Sequence, residues 1–462
     1  MGEPATELAA FAAELGVAAL PGNVLDAVRN DMLDTVGCGL AGATAPGIRE
    51  LTGVLEHWGG RCESSVWGRA IELPAPAAAL ANGAAAHALD YDDTHDGAVL
   101  HAGAAVVPAA FAAAQMRSGA TGDDVVAAVA AGVEIACRLG AAVRDGPSVS
   151  GWLLTPLCGT FGAAAAAARA LALGPEATLD ALGIAYSQCA GNGQATLDAA
   201  LTKRLQPGFA ARAGVLSATL AAAGITGARN VFEGERGWFR VYHRGAYDRD
   251  VLMAALGSEF LCVDLHFKPY PCCRWMHAAI DGALALRERC ANVRDLERVE
   301  VRVSRQAMAS TGRHPSGSGG AGDVVEAQFS IPYVVAVALL DGPPTLRHFT
   351  SEAVRRQDVL ALARRVDPMI DGDPARASGR GISSASLTAH FRDGSCSAVE
   401  IAQATPVEGA SLLAKFREAC AYADIGEDDA DRLGRRLLRA EGEQNADALA
   451  RAIGRPVEAG VP

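Results

Sequence analysis

Lysine is almost missing from this chain. Three positions carry it, Lys203, Lys268 and Lys415, and arginine supplies the rest of the 41 basic residues. An ammonium is compact and loses its proton when desolvated; a guanidinium does neither. Three lysines kept against such a bias are candidates for a specific task, with chance retention as the plain alternative. Aromatic residues are also thin, at 5%. Basic charge is outweighed by acid, giving a formal net charge of -12. That excludes nucleic acid as the main partner, since duplex binding rests on clustered Lys and Arg. No apolar run free of polar interruption reaches the roughly 20 residues of a membrane-spanning helix. The start, Met1-Gly2-Glu3-Pro4, lacks the basic n-region of a signal peptide. The 11 cysteines are odd in number and form no CxxC pair; in a long chain this reads as reduced thiols in a cytoplasm. A GxSxG elbow and a GKS/T phosphate loop are both missing, which removes the simplest hydrolase and nucleotide-binding readings.

What is present is alanine and glycine. Half of the residues are apolar, and small side chains dominate that half, favouring closely packed helices over a β-sandwich. A length of 462 residues leaves room for two domains. Helices are expected at about 6–20 and 23–43, divided by Pro21-Gly22, and in the alanine-rich stretches 104–118, 125–139, 159–173, 178–187 and 209–223. From about 265 the texture changes. Arg298 to Val303 alternates strictly, as a half-buried strand does, and Leu387 to Phe391 runs into the hairpin signal Asp393-Gly394 ahead of Ala398 to Ile401. Helices near 326–340 and 351–364 lie between. The reading is a mainly α protein: a large helical domain made from both chain ends, 1–266 and 405–462, with an inserted α+β lid domain at 267–404. Gly317 to Gly322 is a glycine–serine loop suited to a gate.

One stretch concentrates the chemistry. A smooth small-residue helix ends near Leu89, and Asp90, Asp92, Asp93, Thr94, His95 and Asp96 follow at once, with His101 shortly after. Acidic groups at the end of a buried helix need a basic side chain, a metal or a cationic substrate group. Asp92 to Asp96 is formally a DDxxD pattern, in which carboxylates hold magnesium. A second metal motif is missing, however, and aromatics are too few for a carbocation-sheltering pocket. Cys272 and Cys273, with His277, are adjacent rather than separated by the two to four residues zinc sites use, and read as buried structural thiols. Gly191-Asn192-Gly193 lacks the preceding strand and third glycine of a dinucleotide loop. Singly, His95 and His101 would more often be packed or surface residues than catalytic ones. Lys203 and Lys268, in proline-flanked non-periodic segments, are either surface lysines or partners of the acidic stretch.

Four segments together carry a resemblance. They are Asn82-Gly83 with His87-Ala88-Leu89-Asp90-Tyr91-Asp92-Asp93-Thr94-His95; Thr202-Lys203-Arg204-Leu205-Gln206-Pro207-Gly208-Phe209 through Gly214; Lys268-Pro269-Tyr270-Pro271-Cys272-Cys273-Arg274 with His277; and Gln328-Phe329-Ser330 with Pro332-Tyr333. In this order they resemble the MmgE/PrpD family, which includes 2-methylcitrate dehydratase, cis-aconitate decarboxylase and iminodisuccinate epimerase. The likeness runs from Leu33-Asp34-Thr35 to Lys415-Phe416-Arg417. It implies a helical domain with an α+β lid, a homodimer, a pocket between the domains, small carboxylate substrates, and neither metal nor organic cofactor. Carried over by position, it implies that Asp90, Thr94, His101, Lys203 and Lys268 are catalytic, with one extra residue in the loop before His101. It sets His95, Leu153, Gln206, Cys272 and Tyr333 beside the substrate. Leu153 and Gln206 stand where the family has or often has histidine, which removes candidate proton carriers and adds apolar wall.

The chemistry expected is reaction at a carbon next to a carboxylate. Lys203 and Lys268 would hold carboxylate oxygens and stabilise an enolate-like state, His101 would be the general acid/base, Asp90 would orient it or a lysine, and Thr94 would bond the substrate. A dehydratase or decarboxylase type of lyase is the first expectation, an epimerase or isomerase the second, and a ligand-binding protein without turnover the third.

Overall fold

A computed structural model describes residues 2–145, 151–290, 292–316, 323–373, 384–407 and 410–455. The glycine–serine stretch 317–322, read above as a gate, lies outside the described residues. Two hydrophobic cores organise the chain. The larger draws on residues from Ala5 to Phe267 and again from Leu412 to Ile453, so both chain ends meet in one helical body. The second runs from Tyr270 to Ala404. The fold is mainly α, with a smaller α+β part.

The helical body holds α1 (Pro4–Glu14), α2 (Gly22–Gly42), α3 (Ile48–Trp58), α4 (Ala75–His87), α5 (Gly103–Met116), α6 (Gly122–Ala142), α7 (Leu154–Ala170), α8 (Pro175–Tyr186) and α9 (Thr202–Ala222). Small side chains let these helices pack unusually close. A Cβ on Gly208 of α9 would stand 2.4 Å from the Leu80 carbonyl of α4, and one on Gly83 would stand 3.0 Å from the Gly208 Cα. The glycine pair therefore sets the crossing of α4 and α9, and with it the approach of Lys203 to the end of α4. α9 begins at Thr202 rather than near 209, so Lys203 lies in its first turn and not in an irregular segment. α6 is long and apolar enough to cross a membrane by length and composition, yet 94% of its apolar window is buried inside the protein. It is a core helix.

The second body is a four-stranded sheet in the order β6-β5-β7-β8, built from β5 (Leu296–Val303), β6 (Val366–Ile370), β7 (Ala385–Phe391) and β8 (Cys396–Ile401). β5 and β6 are parallel; the other pairs are antiparallel. β6 is invisible to the alternation argument because it contains Pro368, which an edge strand tolerates. α10 (His277–Arg289) and α11 (Ile331–Leu340) pack together and against this sheet. Two very short pairings tie the loops: β1 (Ser64–Ser65) with β2 (Glu72–Leu73), and β3 (Thr94–His95) with β4 (Leu265–His266). In the second, Thr94 faces His266. Antiparallel register then puts Lys268 opposite the carboxylates that precede Thr94. The last segment returns to the helical body as α12 (Ala410–Tyr422), α13 (Glu427–Leu437) and α14 (Ala446–Gly454).

Candidate active site

α4 ends at His87 and the backbone turns left-handed at Asp90, with φ 54°. Glycine usually takes such a position after a helix, and aspartate is among the few other residues that tolerate it. The turn presents a buried carboxylate to two lysines from distant elements. Lys203, from α9, pairs with Oδ2 of Asp90. Lys268 Nζ donates to Oδ1 at 2.8 Å and to the Asp90 carbonyl at 2.9 Å, and lies 3.8 Å from Oδ1 of Asp92. Burial alone would raise the Asp90 pKa; Lys203 and Lys268 outweigh it and hold the carboxyl well below its ordinary value. Burial likewise opposes the charge on Lys268, but Asp90 and Asp92 push its pKa above the usual lysine range. The Asp90–Lys268 pair is therefore an ionised one.

Two imidazoles share Asp92. His87 Nδ1 lies 2.7 Å from Asp92 Oδ2, and His101 Nδ1 lies 3.8 Å from the same oxygen. The rings are 5.1 Å apart. His101 Nδ1 is 2.5 Å from the Asp93 carbonyl, which can only accept, so Nδ1 carries the proton and Nε2 keeps a lone pair. Burial, then Lys268, push the His101 pKa down to about 3. At neutral pH His101 is thus an uncharged base. Its side chain is 19% exposed against 5% for His87 and 0% for Asp92, so it is the acid–base group that solvent or a substrate reaches.

Behind this layer lies a second set of acids. Asp93 accepts from the N–H groups of Ala102 and Gly103 at 2.9 and 3.1 Å, capping α5 from a distance. Asp31 sits next to it: a Cβ on Gly103 would approach both carboxylates, at 2.4 and 3.0 Å. Burial raises the pKa of both acids; the Asp93 charge adds to the rise at Asp31, and the Asp92 charge to that at Asp93, which is pushed up to about 8. Lys415 Nζ, from α12, lies 2.6 Å from Asp34 Oδ1 and donates to the Tyr91 carbonyl at 2.6 Å. All three lysines of the chain therefore converge on the acidic stretch or its support.

The structure brings Asp90, His101, Lys203 and Lys268 together and adds His87 and Asp92 to them. The second body reaches over this group. The Phe329 ring lies 4.7 Å from Lys203 Nζ, and the Cys273 N–H donates to the Gln328 carbonyl. Thr94 is buried and donates to Asp96 at 3.4 Å. Thr155, one residue into α7, accepts from the His101 N–H, and Leu153 caps the same helix. Gln206 spends both ends of its amide on the Asn192 backbone. His95 meets the Leu261 carbonyl and the Ala98 N–H with its two nitrogens. Tyr333 donates to the His348 carbonyl inside the second core, and Cys272 is fully buried there, its thiol pKa raised by burial. These last four are spent on packing and backbone bonds. The pairing of His87 with Asp92 leaves no signal in the sequence, because a helix-terminal histidine and an aspartate five residues on share no periodicity.

The atoms of His87, Asp92 and His101 that could ligate a metal lie within 4.8 Å of one another. A cation there would face the Lys268 ammonium 3.8 Å from Asp92, and His101 Nδ1 already donates to a carbonyl. The chemistry of the cluster is that of a carboxylate-handling acid–base site: two ammonium groups, a neutral imidazole, and carboxylates fixing both. A helical body with an α+β partner carries this site, and comparison with known proteins identifies its class as an enzyme of the lyase type. The pattern of the MmgE/PrpD N-terminal domain matches residues 6–249 and that of the C-terminal domain residues 270–436. A cis-aconitate decarboxylase of Aspergillus terreus is 29% identical over 412 residues, 84% of this chain and 82% of that protein. The Homo sapiens cis-aconitate decarboxylase is 31% identical over 366 residues, 76% and 74%. The Mus musculus cis-aconitate decarboxylase is 29% identical over 351 residues, 72% and 69%. The chain belongs to the MmgE/PrpD family.

Proposed function

We propose that the protein decarboxylates a small unsaturated di- or tricarboxylate, of the cis-aconitate type, without a cofactor. The observation that carries this reading is the convergence of Lys203 and Lys268 on Asp90 with His101 alongside. The remaining donors of the two ammonium groups take substrate carboxylate oxygens, and their charge stabilises the carbanion or enolate left as carbon dioxide departs. The resting site is balanced, with Asp90 and Asp92 set against the two lysines. An anionic substrate adds negative charge beside Lys268 and offsets its depression of the His101 pKa. His101 then takes up a proton from solvent at Nε2 and delivers it to the carbanion carbon left by carbon dioxide. One observation favours a second reading: the resting lone pair on Nε2 suits proton abstraction, as in elimination of water from a hydroxy-acid. The family resemblance further supports a homodimer.

Proton NMR in deuterium oxide with cis-aconitate, citrate, methylcitrate and malate separates these readings. Loss of the cis-aconitate signal with a new vinylic methylene group supports decarboxylation. Vinylic protons arising from a hydroxy-acid support dehydration. Deuterium wash-in without net loss would move the protein to the epimerases, and silence across the panel would overturn the proposal.

A further inference from the structure

Lys415 is the third lysine, and the site just described leaves it without a task. It lies on α12, far along the chain from every other site residue, and is buried. Its ammonium meets three acceptors: Asp34 Oδ1 at 2.6 Å, the Tyr91 carbonyl at 2.6 Å, and the face of the Tyr91 ring at 4.1 Å. The neighbouring carbonyl, that of Asp90, is held by Lys268 at 2.9 Å. Two ammonium groups thus grip consecutive carbonyls on either side of Tyr91, directly after the left-handed aspartate. A non-glycine residue in that region persists only where its surroundings hold it there.

We propose that Lys415 is a positioning residue: it fixes the Tyr91 peptide so that the turn at Asp90 keeps its left-handed form and aims the carboxylate at Lys203 and Lys268. The inference rests on the catalytic reading given above. Asp34, on α2, is the counter-charge that makes a buried ammonium tenable there, and Lys415 in turn offsets the rise that burial imposes on the Asp34 pKa. A guanidinium does not replace it, because the three acceptors surround one point instead of lying along a planar fork.

The test compares Lys415→Met, Lys415→Arg and the double variant Lys415→Met/Asp34→Asn in the full chain. Lys415→Met leaves the buried Asp34 without its counter-charge and loses thermal stability. The double variant removes both charges and regains the wild-type melting temperature. If Lys415 positions Asp90, kcat stays at least about tenfold low in the double variant while KM moves by less than about threefold. Lys415→Arg likewise fails to restore kcat. Recovery of kcat together with stability would overturn the proposal, because the lysine would then only balance Asp34. A crystal structure of the double variant gives a readout free of turnover: loss of the positive φ at Asp90, or of its contact with Lys268, is expected, and an unchanged turn would refute the inference. A wild-type protein inactive on every acid sinks the proposed function alone, since that structure still decides the positioning role.

Discussion

Replacing Lys268 by methionine keeps the side-chain length and removes one charge from the centre of the cluster. At an effective dielectric constant of about 20, the pair with Asp90 at 2.8 Å corresponds to a gross attraction of about 6 kcal/mol, and the one with Asp92 at 3.8 Å to about 4 kcal/mol. Most of this is offset by the cost of burying the ammonium, which is 0% exposed. The net effect of deleting one partner of a buried pair is a loss of about 3–5 kcal/mol, because Asp90 keeps only Lys203 and its backbone carbonyl goes unpaired. A chain of 462 residues unfolds with an entropy of about 1 kcal/mol per kelvin, so the melting temperature should fall by about 3–5 °C. Activity should fall by a factor of about 10²–10³, the usual cost of removing one electrostatic stabiliser. A third readout is independent of both. Lys268 is the largest charge depressing His101, after burial, so the His101 resonance in an NMR titration should move to a higher pKa in the variant. A melting temperature within 1 °C of wild type (against the ~3–5 °C expected), or an unmoved His101, would refute the ion-pair reasoning.

His101→Gln keeps a donor for the Asp93 carbonyl but supplies no lone pair of comparable basicity; kcat should fall by about 10²–10⁴ with the melting curve unchanged, and residual activity near wild type would remove His101 from the mechanism. Gly208→Ala sets a Cβ 2.4 Å from the Leu80 carbonyl; α4 and α9 must part, costing about 1–3 kcal/mol and drawing Lys203 from Asp90. Calorimetry and activity should fall together in this variant, far from any substrate atom. Asp31 has a pKa raised by burial and then by the Asp93 charge beside it. An acid raised in the folded state contributes stability that is full below the unfolded value of about 4 and is lost as pH climbs to the folded value. Asp31→Asn removes that loss, so its melting temperature relative to wild type should be higher at pH 8 than at pH 5. The opposite order would refute the raised Asp31 pKa.

The acidic stretch was legible as a demand for cations, since carboxylates after a buried apolar helix cannot stand alone. The scarcity of lysine pointed to the same cations from the other side. Sequence could not show that they meet. Lys203 reaches Asp90 through the crossing of α4 and α9, fixed by Gly83 and Gly208, and Lys268 through the pairing of Thr94 with His266. A two-residue strand is too short to leave an alternation signal. His87 and Asp92 come together across the left-handed turn at Asp90, which aspartate tolerates but does not by itself announce. Gln206 and Tyr333 carry motif positions, but their polar atoms answer to the nearest unpaired backbone groups, Asn192 and His348, which only the folded chain supplies.

The division of labour between the two basic residues follows from acceptor geometry. Buried arginines here serve acceptors spread along a plane. Arg138 reaches Glu134 and the carbonyls of Leu252, Ala254 and Glu259, and Arg274 spans the Asp96 carboxylate with two nitrogens. The buried lysines serve acceptors that converge on a point: Asp90 Oδ1 and the Asp90 carbonyl for Lys268, and Asp34 with the Tyr91 carbonyl for Lys415. A tetrahedral ammonium satisfies such a set and can still offer a donor to an incoming carboxylate, whereas a fork already engaged on both edges cannot. Substitution of Lys268 or Lys415 by arginine therefore fails for a geometric reason, with the charge intact, and this explains how lysine survives at these two positions in a chain that otherwise uses arginine.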